Sequence, residues 1–97
     1  MTAYLIVNFD IDDADTYKEY QKGAVPSLGI GDNAKVVAYD TETQQVEGET
    51  AGHQTVVLEY PTLEEARAAY DSEAYQAVLP LRFQATSKHF GLIVKGA

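Results

Sequence analysis

Thr55-Val56-Val57-Leu58-Glu59-Tyr60 runs into Pro61 and then Thr62-Leu63-Glu64-Glu65-Ala66, and the reading of this passage decides the fold. The first six residues are β-formers, with Val56 and Leu58 on one side and Thr55 and Glu59 on the other, the period-two pattern of a half-buried strand. Thr62 with Glu65 three residues later matches a capping box, in which the hydroxyl and the carboxylate satisfy opposite orphan amides. A helix therefore starts at this point, with Leu63, Ala66 and Tyr70 as its inward stripe. It is expected to pause at Asp71-Ser72, before a second short turn carries Tyr75 and Val78 toward Pro80. Ser87 to Lys95 reads as a closing strand.

Working outward, Ala3 to Phe9 is a short apolar run read as strand one, and Asp10-Ile11-Asp12-Asp13 supplies a turn and an N-cap. The next helix starts near Asp13, carries Ala14, Tyr17, Tyr20 and Ala24 on one face, and is expected to stop at Pro26, Gly29 and Gly31. Lys35 to Asp40 alternates as strand two. Thr41 to Gly52 is a polar hairpin connection, longer than the usual loop of about two to five residues, and strand three spans about Gln54 to Tyr60. The string is βαββαβ in a single domain over residues 1–97. Right-handed, unknotted connections then favour an α+β fold of the ferredoxin-like kind, a four-stranded antiparallel sheet in the order 4-1-3-2 with both helices on one face.

Fifteen acidic against seven basic side chains give a net charge of −8, which repels phosphate backbones and anionic headgroups, so neither nucleic acid nor membrane is an expected partner. The absence of cysteine removes disulfides, thiolate metal sites and thiol nucleophiles. Without a leader-like start or a long apolar run the chain reads as cytoplasmic.

Alternation sorts the strands into two faces. Leu5, Val7, Phe9, Val36, Ala38, Val56, Leu58, Tyr60, Phe90, Leu92 and Val94 are expected beneath the helices. The other face then carries Tyr4, Ile6, Asn8, Lys35, Val37, Tyr39, Thr55, Val57, Glu59, His89, Gly91, Ile93 and Lys95, a mixture suited to a partner sheet enclosing a semi-polar cavity. A homodimer formed face to face follows, because Ile6, Val37, Val57 and Ile93 together make a patch that a monomer would leave wet.

Five polar residues are candidates for a site inside such a barrel: Asn8, Tyr39, Glu59, Arg82 and His89. His89 is a candidate base or a metal or haem ligand, or else a strand-edge histidine bonded to a neighbour, and no second ligand stands at a metal spacing. His53 reads as solvated. Glu59, on a central strand, is either a poised base or the ion-pair partner of Lys35 or Lys95. Arg82 either clamps an anionic ligand through its planar fork or bridges to Asp71 and Glu73. Tyr70 and Tyr75 read as core and interface aromatics or as the lining of a pocket mouth. No cofactor and no metal are expected.

Tyr4-Leu5-Ile6-Val7, Tyr17-Lys18-Glu19-Tyr20, Val46-Glu47-Gly48, Val57-Leu58-Glu59-Tyr60-Pro61, Tyr70-Asp71-Ser72-Glu73-Ala74-Tyr75-Gln76 and Leu79-Pro80-Leu81-Arg82 resemble the DUF1330 family of small bacterial proteins across almost the whole chain. The chain departs from the family pattern at Gly31-Asp32-Asn33, where a glycine pair is usual, and in lacking a tryptophan after the hairpin glycine. The resemblance implies a dimeric α+β barrel, covers the positions of Glu59 and Arg82, and implies no known reaction. Two classes of function follow: a dimeric module binding a small organic ligand between the sheets, or a cofactor-free monooxygenase- or isomerase-like enzyme acting on a small aromatic or acyl substrate, the latter by fold analogy alone.

Overall fold

A computed structural model describes Met1–Ala97, in the order β1 (Ala3–Ile11), α1 (Ala14–Ser27), β2 (Lys35–Asp40), β3 (Gln54–Tyr60), α2 (Leu63–Asp71), α3 (Glu73–Ala85) and β4 (Thr86–Lys95). The sheet runs β2-β3-β1-β4 with every pairing antiparallel, the expected order read from its other edge. Helices lie against one face only. The architecture is ferredoxin-like, with three helices where two were expected.

The helix starts obey local chemistry. Asp13 caps α1 by accepting from the Thr16 amide at 3.1 Å and the Thr16 hydroxyl at 2.7 Å, and these bonds, the hydroxyl's first, hold its carboxyl below the ordinary carboxylate range. Thr62 caps α2 by accepting from the Glu65 amide at 3.1 Å, but the return bond to the Thr62 amide is not made. The Glu65 carboxylate instead accepts from the Thr62 hydroxyl at 3.3 Å and from Asn33 Nδ2 at 3.2 Å.

Two helix ends differ from expectation. Pro26 does not stop α1 but sits inside its last turn. The stop is Gly29, whose φ of 79° supports a Schellman motif in which its amide bonds the Pro26 carbonyl and the Ile30 amide bonds the Val25 carbonyl. The short turn after Ser72 is a full helix of 13 residues that continues through Pro80. Ser72 restarts the helix at once by accepting from the Tyr75 amide at 3.2 Å, and Tyr75, Leu79, Arg82 and Ala85 form a buried stripe that holds the proline in place.

Two bulges revise the face assignment. Across β2 and β3, Val36 pairs with Leu58 but Ala38 pairs with Val57, so Val37 is an extra residue and the alternation resets after it. Ala38 joins the open face, and Tyr39, opposite Val56, turns to the helix side. Across β1 and β4, Asn8 pairs with Phe90 and Asp10 with Ser87, which leaves Lys88 and His89 opposite Phe9, with Lys88 at a φ of 55°. Leu5 then faces Ile93, Val7 faces Gly91 and Ala3 faces Lys95 on the helix side. Phe90, Leu92 and Val94 move to the open face, the reverse of the expectation for β4.

The core lies between the helices and the sheet, around Leu5, Phe9, Leu58, Tyr60, Ala66, Tyr75 and Leu79. Helix α1 packs on α3 where Gly23 meets Val78, since a Cβ at Gly23 would collide with that side chain. The chain ends meet as well: the Gly96 amide donates to the Thr2 carbonyl at 2.8 Å.

Candidate functional site

Because α1 rests on α3, it reaches the sheet mainly through long side chains, and a gap remains beneath it. The result is a cavity of about 150 Å³ between α1 and the helix side of β1, β2 and β3. Leu5, Val7, Val56 and Leu58 floor it, Val25 from the last turn of α1 with Leu28 and Ile30 just beyond the helix close one side, and Tyr17, Tyr20 and Tyr75 close another. Gln21 is the one lining residue that is not hydrophobic, and its amide donates to the Tyr39 hydroxyl at 3.2 Å. The β2 bulge is what turns Tyr39 into this position.

One end of the cavity is polar. The Tyr20 and Tyr75 hydroxyls share a hydrogen bond of 2.7 Å, and Gln54 Nε2 donates to the Tyr17 hydroxyl at 2.9 Å. Burial pushes all three phenols above the ordinary value of 10.0, while the positive charge of Arg82 opposes that rise at each of them. They therefore stay protonated. Arg82 is 2% exposed, and its Nε and Nη1 have no hydrogen-bond partner. Its guanidinium carbon lies 5.5 Å from the centre of the Phe9 ring and 5.4 Å from that of Phe83, a double cation–π contact.

The five candidate residues do not converge. Asn8 is consumed by Gly52, donating to its carbonyl at 3.1 Å and accepting from its amide, and it also donates to Thr55 Oγ1 at 3.0 Å. Tyr39 is on the helix side. Glu59 lies on the open face opposite Lys35 in the register and accepts from the Tyr4 hydroxyl at 3.2 Å, while Lys95 lies on the other face. Arg82 bridges to neither Asp71 nor Glu73. Asp71 is instead bonded by Arg67 at 2.7 and 3.2 Å, whereas Arg82 points into the core. His89 stacks on Phe83 with ring centres 4.8 Å apart. Since Tyr4 pairs with Glu59 and Arg82 lies over Phe9, the Glu59 and Arg82 positions are separated by about 17 Å of β1 as well as by the thickness of the sheet. His53 is not free: its Nδ1 lies 2.9 Å from Asp10 Oδ1, and its backbone amide is the first cause of the lowered Asp10 carboxyl.

Of this tyrosine set the sequence singles out only Tyr75, as a core aromatic or the lining of a pocket mouth, and places Tyr17 and Tyr20 on the inward face of α1 without a site role. The signal for the set was Gln54, the lone polar residue on the inner side of β3, facing a helix stripe whose large members are phenols.

A family model for a domain of unknown function, DUF1330, matches residues 2–97. No curated protein sequence matches. Among solved structures, the chain is similar to the protein RPA0582 of unknown function from Rhodopseudomonas palustris, at 16% identity over 99% of this chain and 82% of that one, with a TM-score of 0.75. It is also similar to a dimeric ferredoxin-like protein of unknown function from Thermobifida fusca, at 17% identity over 99% of this chain and 92% of that one, TM-score 0.62. A third likeness is to a putative antibiotic biosynthesis monooxygenase from Nitrosomonas europaea, at 15% identity over 99% and 98% of the two chains, TM-score 0.60. At such identities the solved structures speak for the fold, while the family match spans the chain: the protein belongs to the DUF1330 family.

Proposed function

We propose that the protein is a homodimer that binds a small, mainly apolar organic molecule in the cavity beneath α1, one molecule per protomer. The observation that carries this reading is the cavity itself: a hydrophobic enclosure with a few polar groups gathered at one end is the usual form of a small-molecule site. Its volume of about 150 Å³ suits a single aromatic ring or a short acyl chain. The site is set on the helix side and not between two sheets because Asn8 is spent on Gly52 and Tyr39 has turned inward, which leaves the open face mainly apolar.

That open face is given to the second copy. Phe90, Leu92 and Val94 are exposed at 45%, 51% and 38%, beside half-buried Ile6 and Val57, and the Thermobifida fusca relative in fold is described as dimeric. Leu92→Asp is expected to convert a sedimenting dimer to a monomer without changing the far-UV spectrum. A wild-type monomer at micromolar concentration would remove the dimer from the proposal.

Occupancy is tested with toluene as the probe. Binding should shift the methyl resonances of Val56 and Leu58, and Val56→Phe, which fills the cavity, should abolish the shift. Unchanged spectra in saturating toluene would refute the site. The monooxygenase- or isomerase-like reading is supported only by the fold of the Nitrosomonas europaea protein, and it requires turnover, such as oxygen uptake with a bound phenol, in addition to occupancy.

A further inference from the structure

Around the phenol-closed end of the cavity unspent donors outnumber acceptors, and Arg82, which does not line the cavity itself but stacks on the lining residue Phe9, adds to them. Arg82 offers Nε–H and Nη1–H to nothing in the protein. The Tyr17 oxygen accepts from Gln54, so its own proton is unspent, and one proton bridges Tyr20 and Tyr75 while the other is left over. A buried donor without an acceptor is costly, and a buried cation without a counter-charge more so. Here two unpartnered nitrogens of Arg82 stand near phenols whose hydrogen-bonded pairs each leave one proton spare.

Geometry joins Arg82 to the tyrosines. It stands on the same inward stripe of α3 as Tyr75, two turns further on, and a long side chain on a helix leans back toward the N-terminus, in this case toward the Tyr75 layer. Its guanidinium lies over Phe9, which itself lines the cavity and has its ring centre 5.5 Å from that of Tyr17.

We propose that the cavity ligand is a monoanion, a carboxylate on a small aromatic or short acyl body, whose oxygens accept from Arg82, Tyr17 and the Tyr20–Tyr75 pair while its apolar part lies between α1 and the sheet. This rests on the cavity reading above and adds the charge of the ligand. Nothing acidic in the protein competes for the place, because Glu59 is on the opposite face and Asp71 is held by Arg67. The phenols, kept protonated by burial, remain donors throughout the neutral range.

The experiment compares benzoate with toluene, each titrated into the wild-type dimer, Arg82→Met and Tyr17→Phe by calorimetry or methyl shifts at neutral pH. Benzoate should bind wild type at least about tenfold more tightly than toluene, as charge-assisted bonds to a buried arginine predict. Arg82→Met should lose about that factor for benzoate and keep toluene binding. Tyr17→Phe, which retains the ring, should weaken benzoate about three- to tenfold and toluene by a clearly smaller factor, so the proposal stays testable if Arg82→Met does not fold. Toluene binding without a benzoate preference, or a preference that survives both substitutions, would overturn the anionic ligand and leave the apolar cavity site standing. If neither probe binds, both readings fall.

Discussion

Gly52 sits where a side chain has no room, since a Cβ would collide with the backbone of Phe9 and Asp10, and Asn8 clasps its amide and carbonyl together. Gly52→Ala is expected to cost about 1 to 3 kcal/mol through that overpacking, read from urea melts. A second residue-level consequence concerns alkali. Burial raises the phenols of Tyr17, Tyr20, Tyr60 and Tyr75 above 10.0, with Tyr60 pushed up to about 12. Folded values above unfolded ones mean that the native state holds its protons more tightly, so this contribution is complete below pH 10.0 and drains away as pH climbs through 10.0 toward about 12. Denaturation midpoints should hold to about pH 9 and fall from about pH 10 upward. A flat profile through that window would mean that the hydroxyls are solvated. The sequence disclosed which residues were aromatic and inward on α1, but not that Tyr20 and Tyr75 would share a bond, because that depends on how α1 and α3 lie together. Arg82 was visible as a residue capable of holding an anion, but its burial was not.

At the scale of elements, the central strand β3 offers a test of packing: Leu58 is 2% exposed, pairs with Leu5 on one side and Val36 on the other, and floors the cavity. Leu58→Ala is expected to lower stability by about 2 to 5 kcal/mol, through lost transfer and an enlarged void. A loss under about 1 kcal/mol would mean the site relaxes fully around the change. The bounds of β3 and the starts of α1 and α2 were legible because caps and prolines act within a few residues. The faces of β2 and β4 were not. A bulge depends on which residue the neighbouring strand offers, and β4 is apolar on both sides, so its larger residues Phe90, Leu92 and Val94 were assigned to the core although Gly91 and Ile93 face it. The reach of α3 was missed for a related reason, because Pro80 reads as a breaker unless its neighbours are known to be buried.

Over the whole molecule, the order of elements and the one-sided helix layer were predictable from alternation and connection rules, while the cavity was not, because it arises from the stand-off of α1 from the sheet. The meeting of Thr2 with Gly96 has a further consequence. Chain ends hydrogen-bonded beside neighbouring strands at the sheet's surface are not where the fold is necessarily divided, and the largely exposed connection from Thr41 to Thr50 is held at its base by the Thr43 and Thr55 hydroxyls, 2.7 Å apart. Continuity of the chain is then interchangeable between the two places. A circular permutant that joins Ala97 to Met1 through a short glycine-serine linker and opens between Glu47 and Gly48 is expected to show the same circular dichroism and a cooperative melt. Loss of the melt would show that the hairpin connection, and not the pairing of β2 with β3, keeps the edge strand in place.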